Sequence, residues 1–551
     1  MSILSILLFL PLIGSAIIAL SPKKVEKYAS WFTLIISLIG LIIALYIAMD
    51  FDKATASYQF LEQLDWITVS LGSIGTLSID YILGVDGISM PLVVLAAIIQ
   101  VIGAISSFEI QTKVKGYFST YLLLSGSVMG CFLALDFFLF FLFFEFMLLP
   151  MYFLIGIWGG KNKEFASIKF FIYTLIGSIF ILVVMIGIYL SAVDPVSTAQ
   201  SIGLVQNINL ISPEIIGTVQ DLIAKGEIPT ENIVHTFDFR FLSDTANYLP
   251  NSILSLVQEN NIGGINVRNL AFLLLFVGFA IKLPLVPFHT WLPDAHVEAP
   301  TAISVVLAGT LLKIGGYGFI RIAYSIFPDS AVHYAYWIGI AGIFSIIWGA
   351  YNSLSQTDFK RQIAFSSVSH MGFVVIGIAS LTAEGVNGAI FQMFSHGILS
   401  AMLFLIVGVL YYRTGNRQIS DFQGIANKMP AFTVFVVIAF FASLGLPAFS
   451  GFIGEFFSLM GAFNSSHFPK YFTALAAFGI VIGASYFLWT FKRIFLGNFW
   501  IKNEAILMTD LKYYEWIMFV ILAIVTLSIG IMPNLIFDIS ADSVKEFLKL
   551  F

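Results

Sequence analysis

One cysteine, Cys131, stands in a chain of 551 residues. An iron–sulfur cluster held by this chain alone needs about four thiolates, and an internal disulfide needs two. Both are excluded. Charge is scarce as well: Asp, Glu, Lys and Arg make up 11% of the residues, against about 25% in soluble domains. Hydrophobic residues reach 59% and the mean hydropathy is +0.94, which excludes a soluble enzyme and describes a polytopic membrane protein. No basic residue precedes the apolar run from Ile3 to Leu20, while Lys23, Lys24 and Lys27 follow it. A cleaved signal peptide has the opposite polarity, so a first spanning helix that starts outside is expected. The net charge of −5 lies in loops and a few buried positions, and nothing in it fits nucleic-acid binding.

What is present is a series of long apolar runs. A span needs about 20 residues, and runs of that kind fall near 2–20, 30–49, 87–106, 119–135, 137–157, 167–192, 269–287, 301–323, 332–354, 362–381, 386–411, 430–461, 469–491 and 513–534. The fold class is therefore an all-α polytopic membrane protein with about 14 transmembrane helices. An even count puts both ends on one side. The basic loops (Lys23/Lys24/Lys27, Lys113/Lys115, Lys161/Lys163, Lys360/Arg361, Arg413/Arg417/Lys428, Lys492/Arg493/Lys502) share the other side only if both termini are extracytoplasmic. Connections on the terminal side carry Asp65, Asp80, Asp329 and Glu384. Residues about 50–84 read as a short extracytoplasmic hairpin, since Trp66-Ile67-Thr68-Val69-Ser70 alternates. Residues about 193–268 read as a long polar loop with Pro195, Pro213, Pro229 and Pro250, functional or disordered.

The chain is organised around Phe276 to Lys313. Lys282 stands directly before Leu283-Pro284, with Pro287 beyond. Proline removes a donor and clashes with the preceding turn, so this helix should break beside its own charge. A break at membrane depth is tolerable where it is buried in protein or lines water. Phe279-Ala280-Ile281-Lys282-Leu283-Pro284 is echoed by Ala442-Ser443-Leu444-Gly445-Leu446-Pro447. Paired interrupted helices of this kind point to a transporter's ion sites. After Pro447, the second break carries its charge at Glu455.

Buried charge in hydrocarbon costs about 2.5–3.5 kcal/mol and marks function by default. Glu145 sits mid-span between Phe141 and Leu149 at i−4 and i+4; a static ion pair is the plainer alternative. Pairing Glu145 with Lys282 has mechanical content. At an effective dielectric near 20, opening such a pair from about 4 Å to about 8 Å costs roughly 2 kcal/mol, enough to load or unload a proton. Lys313, before Gly315-Gly316, is too central to snorkel easily. His370 has Ser366 and Ser367 one turn back, and His396 lies between Gln392 and Ser400 on one helical stripe. Such stripes relay protons in the range where histidine titrates; a hydrogen-bonded packing role fits either one alone. Haem ligation does not fit one histidine per helix. His289, Asp294, His296 and Glu298 resemble a metal cluster, but Pro287, Pro293 and Pro300 interrupt them. They read instead as a cytoplasmic-side connection near the mouth of a proton path, with no metal site. Gly315-Gly316-Tyr317-Gly318 lies inside a span and is no nucleotide loop.

The stretch from Lys282-Leu283-Pro284-Leu285-Val286-Pro287-Phe288-His289-Thr290-Trp291-Leu292-Pro293-Asp294-Ala295-His296 through Ser366-Ser367-Val368-Ser369-His370-Met371-Gly372 resembles the antiporter-like subunits of proton-pumping NADH:quinone oxidoreductase, complex I. The glutamate after the second break is similar to the M type (chain 4), where the L and N types generally carry lysine. The resemblance implies two inverted five-helix repeats with discontinuous helices. It implies 1–118 as helices 1–3 with the hairpin, 119–323 as the first repeat including loop 193–268, 324–500 as the second, and 501–551 as helix 14 and tail. It also implies a proton axis: Glu145 and Lys282 as a coupled pair, Lys313 as central site, His370 and His396 as bridging histidines, Glu455 at the outlet. His289, His296, Ser366, Ser367, Gln392, Pro284 and Pro447 would support it. By resemblance the chain carries no cofactor; FMN, iron–sulfur clusters, NADH and quinone belong to partner subunits. The expected partners are L-type and N-type neighbours in the membrane arm, and lipids. A bacterial inner membrane is the expected location. The 193–268 loop exceeds that of most relatives. Alternatives of other classes are a multi-subunit cation/proton antiporter, a membrane-bound hydrogenase subunit, and a structural subunit whose charges only hold an assembly together.

Overall fold

The computed structural model describes residues 2–72, 75–205, 212–256, 260–503 and 508–551. Among the described residues, twelve helices are long and apolar enough to cross a membrane. Two further spans are broken in the middle: Val267–Lys282 with Trp291–Glu298, and Pro430–Ser443 with Ser450–Asn464. Each interruption is a hydrogen-bonding solution rather than a frayed end. Leu285 N–H donates to the Ala280 carbonyl at 2.9 Å, closing the first helix with a wide turn. The Ile281 carbonyl, left open because Leu285 bonds to Ala280 instead, accepts the Trp291 indole N–H at 2.8 Å, and Val286 N–H donates to Ser345 Oγ at 2.9 Å. In the second break Leu446 N–H donates to the Phe441 carbonyl, and Gly445 takes the left-handed φ of +79° that glycine tolerates best. The two closing bonds align Leu285 with Leu446, two residues out of step with the Leu-Pro echo in the sequence.

The span at Phe137–Trp158 is also interrupted, at Met147. Pro150 explains it, because its ring clashes with the carbonyl four residues back. Glu145 lies just before that irregular turn.

Counting from Val114 and from Pro328, each set of five spans has its broken helix in fourth place. An odd number of crossings reverses direction, so the two sets are inverted relative to one another. At the centre stand Thr301–Tyr324, Phe359–Ala379 and Ala383–Thr414, whose most apolar stretches are wholly buried. Outer helices such as Lys163–Tyr189 turn Ile168, Ile172, Ile176 and Ile179 outward, as a lipid-facing surface requires.

The alternating stretch forms an antiparallel hairpin, Gln59–Ser70 with Thr76–Val85. The long polar loop is not structureless. Its described parts build a small core from Val193, Ala199, Val219, Ile223 and Ile233. Val234–His235 adds a parallel edge to Thr76 and Leu77 of the hairpin. The loop positions 206–211 and 257–259 lie outside the described residues, as do 504–507 in the C-terminal segment. Where the sequence suggests only a tail, Asn534–Leu548 is an amphipathic helix. It is pinned by Ser540 Oγ to Asn387 Oδ1 at 2.6 Å and by Gly87 N–H to Ser543 Oγ at 2.9 Å.

Candidate functional site

The three buried central helices and the second broken helix bring four of the sequence candidates into one line. Lys313 is fully buried. Its helix widens into a π turn over Leu307–Leu311, and the ammonium donates back to the Ala308 carbonyl. Such widened turns are frequent at functional sites. Lys313 Nζ also lies 2.8 Å from His396 Nδ1. With the ammonium donating, Nδ1 accepts and a neutral His396 carries its proton on Nε2. The His396 and His370 rings stand 5.6 Å apart, centroid to centroid. His370 Nδ1 then donates to Glu455 Oε1 at 2.8 Å. Glu455 is 3% exposed.

His370, His396, Ser366, Ser367, Ser400 and Glu455 share one small cavity of about 10 Å³. That is room for about one water. Ser366 and Ser367 turn their hydroxyls to the Ile363 carbonyl, and Ser366 also meets the Tyr486 hydroxyl. Gln392 does not join this lining; its buried Oε1 has no hydrogen-bond partner among the described residues. It packs instead against Gly454, where an added Cβ would fall 2.3 Å from Oε1.

The other half of the expected axis is built differently. Lys282 is 1% exposed, and its Nζ has no hydrogen-bond partner among the described residues. It lies 5.1 Å over the Phe144 ring and 5.7 Å from the Phe170 ring, a setting worth about 2 kcal/mol for a desolvated cation. Glu145 Oε1 is likewise buried and unpartnered. The two residues act on each other electrostatically without forming an ion pair within 4.0 Å. Gly315 explains how the Lys282 break meets the Lys313 helix: a Cβ there would fall 2.7 Å from the Leu283 amide nitrogen. Pro284 lies in that break and Pro447 in the second.

The stretch after the first break corrects the sequence reading. Trp291–Glu298 is a helix rather than an irregular connection, and its polar groups diverge to separate partners. Asp294 takes Lys169 at 2.7 Å and Arg361 at 3.5 Å. Glu298 accepts the Asn162 N–H at 3.0 Å. His296 stacks on Phe404 at 4.3 Å, and His289 meets Phe365 edge-on at 6.1 Å.

Three buried lysines and arginines escape the sequence candidates; the first, Arg268, is 2% exposed and pairs with Asp329 at 2.7 Å. Lys360 reads as a loop charge, yet it is 4% exposed inside a helix that Asp358 caps through the Arg361 N–H. Arg321 pairs with Asp86 at 2.5 Å and with the Tyr58 hydroxyl at 2.8 Å. Its spacing of eight from Lys313, on one helix with Tyr317 between, was a signal available in the sequence.

The chain matches the family described as NADH:quinone oxidoreductase/Mrp antiporter, TM, over residues 134–211 and 236–483. It is 38% identical to NADH-quinone oxidoreductase subunit M of Rickettsia prowazekii, across 100% of this chain and 99% of that one. To the same subunit of Rhodobacter capsulatus it is 36% identical, covering 100% and 96%. Its fold is similar to a chain of respiratory complex I from Thermus thermophilus, with a TM-score of 0.77, 24% identity and 99% of both chains covered. The Mrp complex from Dietzia has a similar chain too, at TM-score 0.76 and 20% identity over 100% of this chain and 98% of that one. With glutamate in the second broken helix and relatives of one kind aligned along its whole length, the chain belongs to the subunit M branch of the NADH:quinone oxidoreductase/Mrp antiporter membrane family.

Proposed function

We propose that this chain is a proton-translocating subunit in the membrane arm of a respiratory NADH:quinone oxidoreductase. The observation that carries this reading is the buried line Lys313–His396–His370–Glu455. A proton leaving the Lys313 ammonium along its hydrogen bond makes an amine and an imidazolium. His370 can take it on through a bridging water and deliver it to the Glu455 carboxylate. Glu145 and Lys282 act at the other end, where a shift of one helix changes how well a cation is held at Lys282. Electron transfer takes place elsewhere, with FMN, iron–sulfur clusters, NADH and quinone held by partner subunits. Neighbouring antiporter-like subunits pass the charge and helix movements on. The membrane is the plasma membrane of a bacterium, both termini extracytoplasmic; the basic loops Lys23–Lys27, Lys113/Lys115 and Lys161/Lys163 support that orientation.

The test uses the purified complex in liposomes. Lys313→Met should stop NADH-driven acidification, by about 100-fold or more, while NADH oxidation by an artificial acceptor that bypasses the membrane arm continues. Unchanged acidification overturns the reading. The fold shared with the Mrp complex favours one alternative, cation/proton exchange. Cation flux through this chain in liposomes without electron-transfer partners would establish it.

A further inference from the structure

A third buried lysine lies nearer the basic face. Lys360 Nζ donates to the Ala299 carbonyl at 2.5 Å, and among the described residues no carboxylate lies within 4.0 Å to neutralise it. The charged groups around it are already engaged. Asp358 pairs with Arg417 at 3.3 Å, and Glu298 holds the Asn162 amide. Lys360 lines a polar cavity of about 720 Å³. Lys161 and Gln418, at its edge, are exposed. A polar space of this size reaching the surface fills with water, so Lys360 is a buried ammonium with an aqueous side.

Behind it stands His296, 0% exposed and flat against Phe404. Neither ring nitrogen has a hydrogen-bond partner among the described residues. Leaving a buried polar group unpaired costs about 1–3 kcal/mol, and a plain apolar side chain would stack on Phe404 without that loss. Ala299, whose carbonyl takes the Lys360 ammonium, is three residues after His296, and Phe404, on which the His296 ring lies, shares a helix with His396. The charges of Lys360 and Lys313 both act on this ring. His296 therefore links the surroundings of a water-facing lysine to the helix that partners Lys313.

We infer that Lys360 and His296 form a relay that loads Lys313 with protons from the water-filled cavity on the basic face. The Lys360 amine takes a proton from hydronium, leaving water. It passes that proton to one nitrogen of His296, making an imidazolium, and the other nitrogen releases its proton to a neutral Lys313 amine. Only N–H and O–H bonds form and break. The inference rests on Lys313 carrying protons, as proposed above.

The test compares Lys360→Met, Lys360→Arg and Lys360→His in the assembled complex, following NADH-driven acidification of liposomes between about pH 6 and 9, the range that brackets imidazole and a buried amine. Arginine keeps the charge but does not release a proton. Arg and Met variants should both lose acidification by about tenfold or more, with NADH oxidation by the bypassing acceptor intact. The His variant should retain it, its alkaline limb moved to lower pH because imidazole titrates below an amine. His296→Phe should behave like Lys360→Met. An Arg variant that pumps normally overturns the relay, because charge alone then suffices. A His variant no better than Met overturns it too, and this contrast stands even where Arg fails to assemble. If Lys313→Met also pumps normally, the proposed function falls. If Lys313→Met stops pumping and Lys360→Arg does not, the relay alone falls.

Discussion

The two ends of the buried axis carry the same kinds of side chain in opposite arrangements. From Lys313 to Glu455 the groups are joined, with 2.8 Å contacts at either end and a shared cavity in the middle. Around Lys282 and Glu145, the lysine ammonium and one carboxylate oxygen have no hydrogen-bond partner among the described residues, and aromatic rings face the cation. Under the proposed function a joined line conducts: the two end transfers each cross one hydrogen bond, and the step between the histidines crosses a water in the shared cavity. A separated pair responds, because its energy depends on distance. At an effective dielectric near 20 the attraction falls from about 4 kcal/mol at 4 Å to about 2 kcal/mol at 8 Å. That difference changes a protonation equilibrium about 30-fold. Under the proposed function, the joined arrangement serves conduction and the separated one serves control.

The contrast is broken most severely at its conducting end. Glu455→Gln keeps an oxygen acceptor for His370 but removes the negative charge that receives a proton. Proton translocation in the reconstituted complex should fall by about 100-fold; wild-type acidification by this variant would remove Glu455 from the line. Glu145→Gln should do less, changing the pumping rate by no more than about 30-fold, since only a separated Coulombic partner is lost. An unchanged rate would mean the pair is uncoupled. The smallest effect belongs to a buried carboxylate outside the spans. Asp194 caps the Pro195–Ser201 helix through Val196 and Ser197 N–H at 2.7 and 3.0 Å, and burial pushes its carboxyl up to about 6. The folded loop then binds its proton more tightly than the unfolded chain does. Local stability is full below the unfolded value near 4, falls as pH rises to about 6, and stays level above. Asp194→Asn should flatten that fall, read as proteolytic protection of 195–205 against pH, with pumping unaffected.

Much of this was written in the sequence. The runs of apolar residues located the spans, and proline beside charge located the first break. Glu145, Lys282, Lys313, His370, His396 and Glu455 stood out because charge in oil is costly. What the sequence withheld depends on the packing of distant segments. Lys360 reads as a loop residue because it lies two positions after Asp358, and only the meeting of its helix with Ala299 buries it. The two breaks look aligned through Leu-Pro, yet hydrogen bonding aligns them two residues away, since a closing turn is chosen by carbonyl geometry rather than by residue identity. The loop after Tyr189 looks structureless because its core is a handful of small aliphatic residues completed by an edge of the hairpin.

The widened turn at Leu307–Leu311 also sets what kind of genetic change this helix will bear. An α-helix rotates the chain by about 100° per residue, and a turn closed five residues apart holds about one residue more than an α turn. Losing one position inside Leu307–Leu311 can therefore be absorbed by tightening that turn, with the side chains beyond it kept on their faces. A one-codon loss is borne best at the very turn that precedes Lys313.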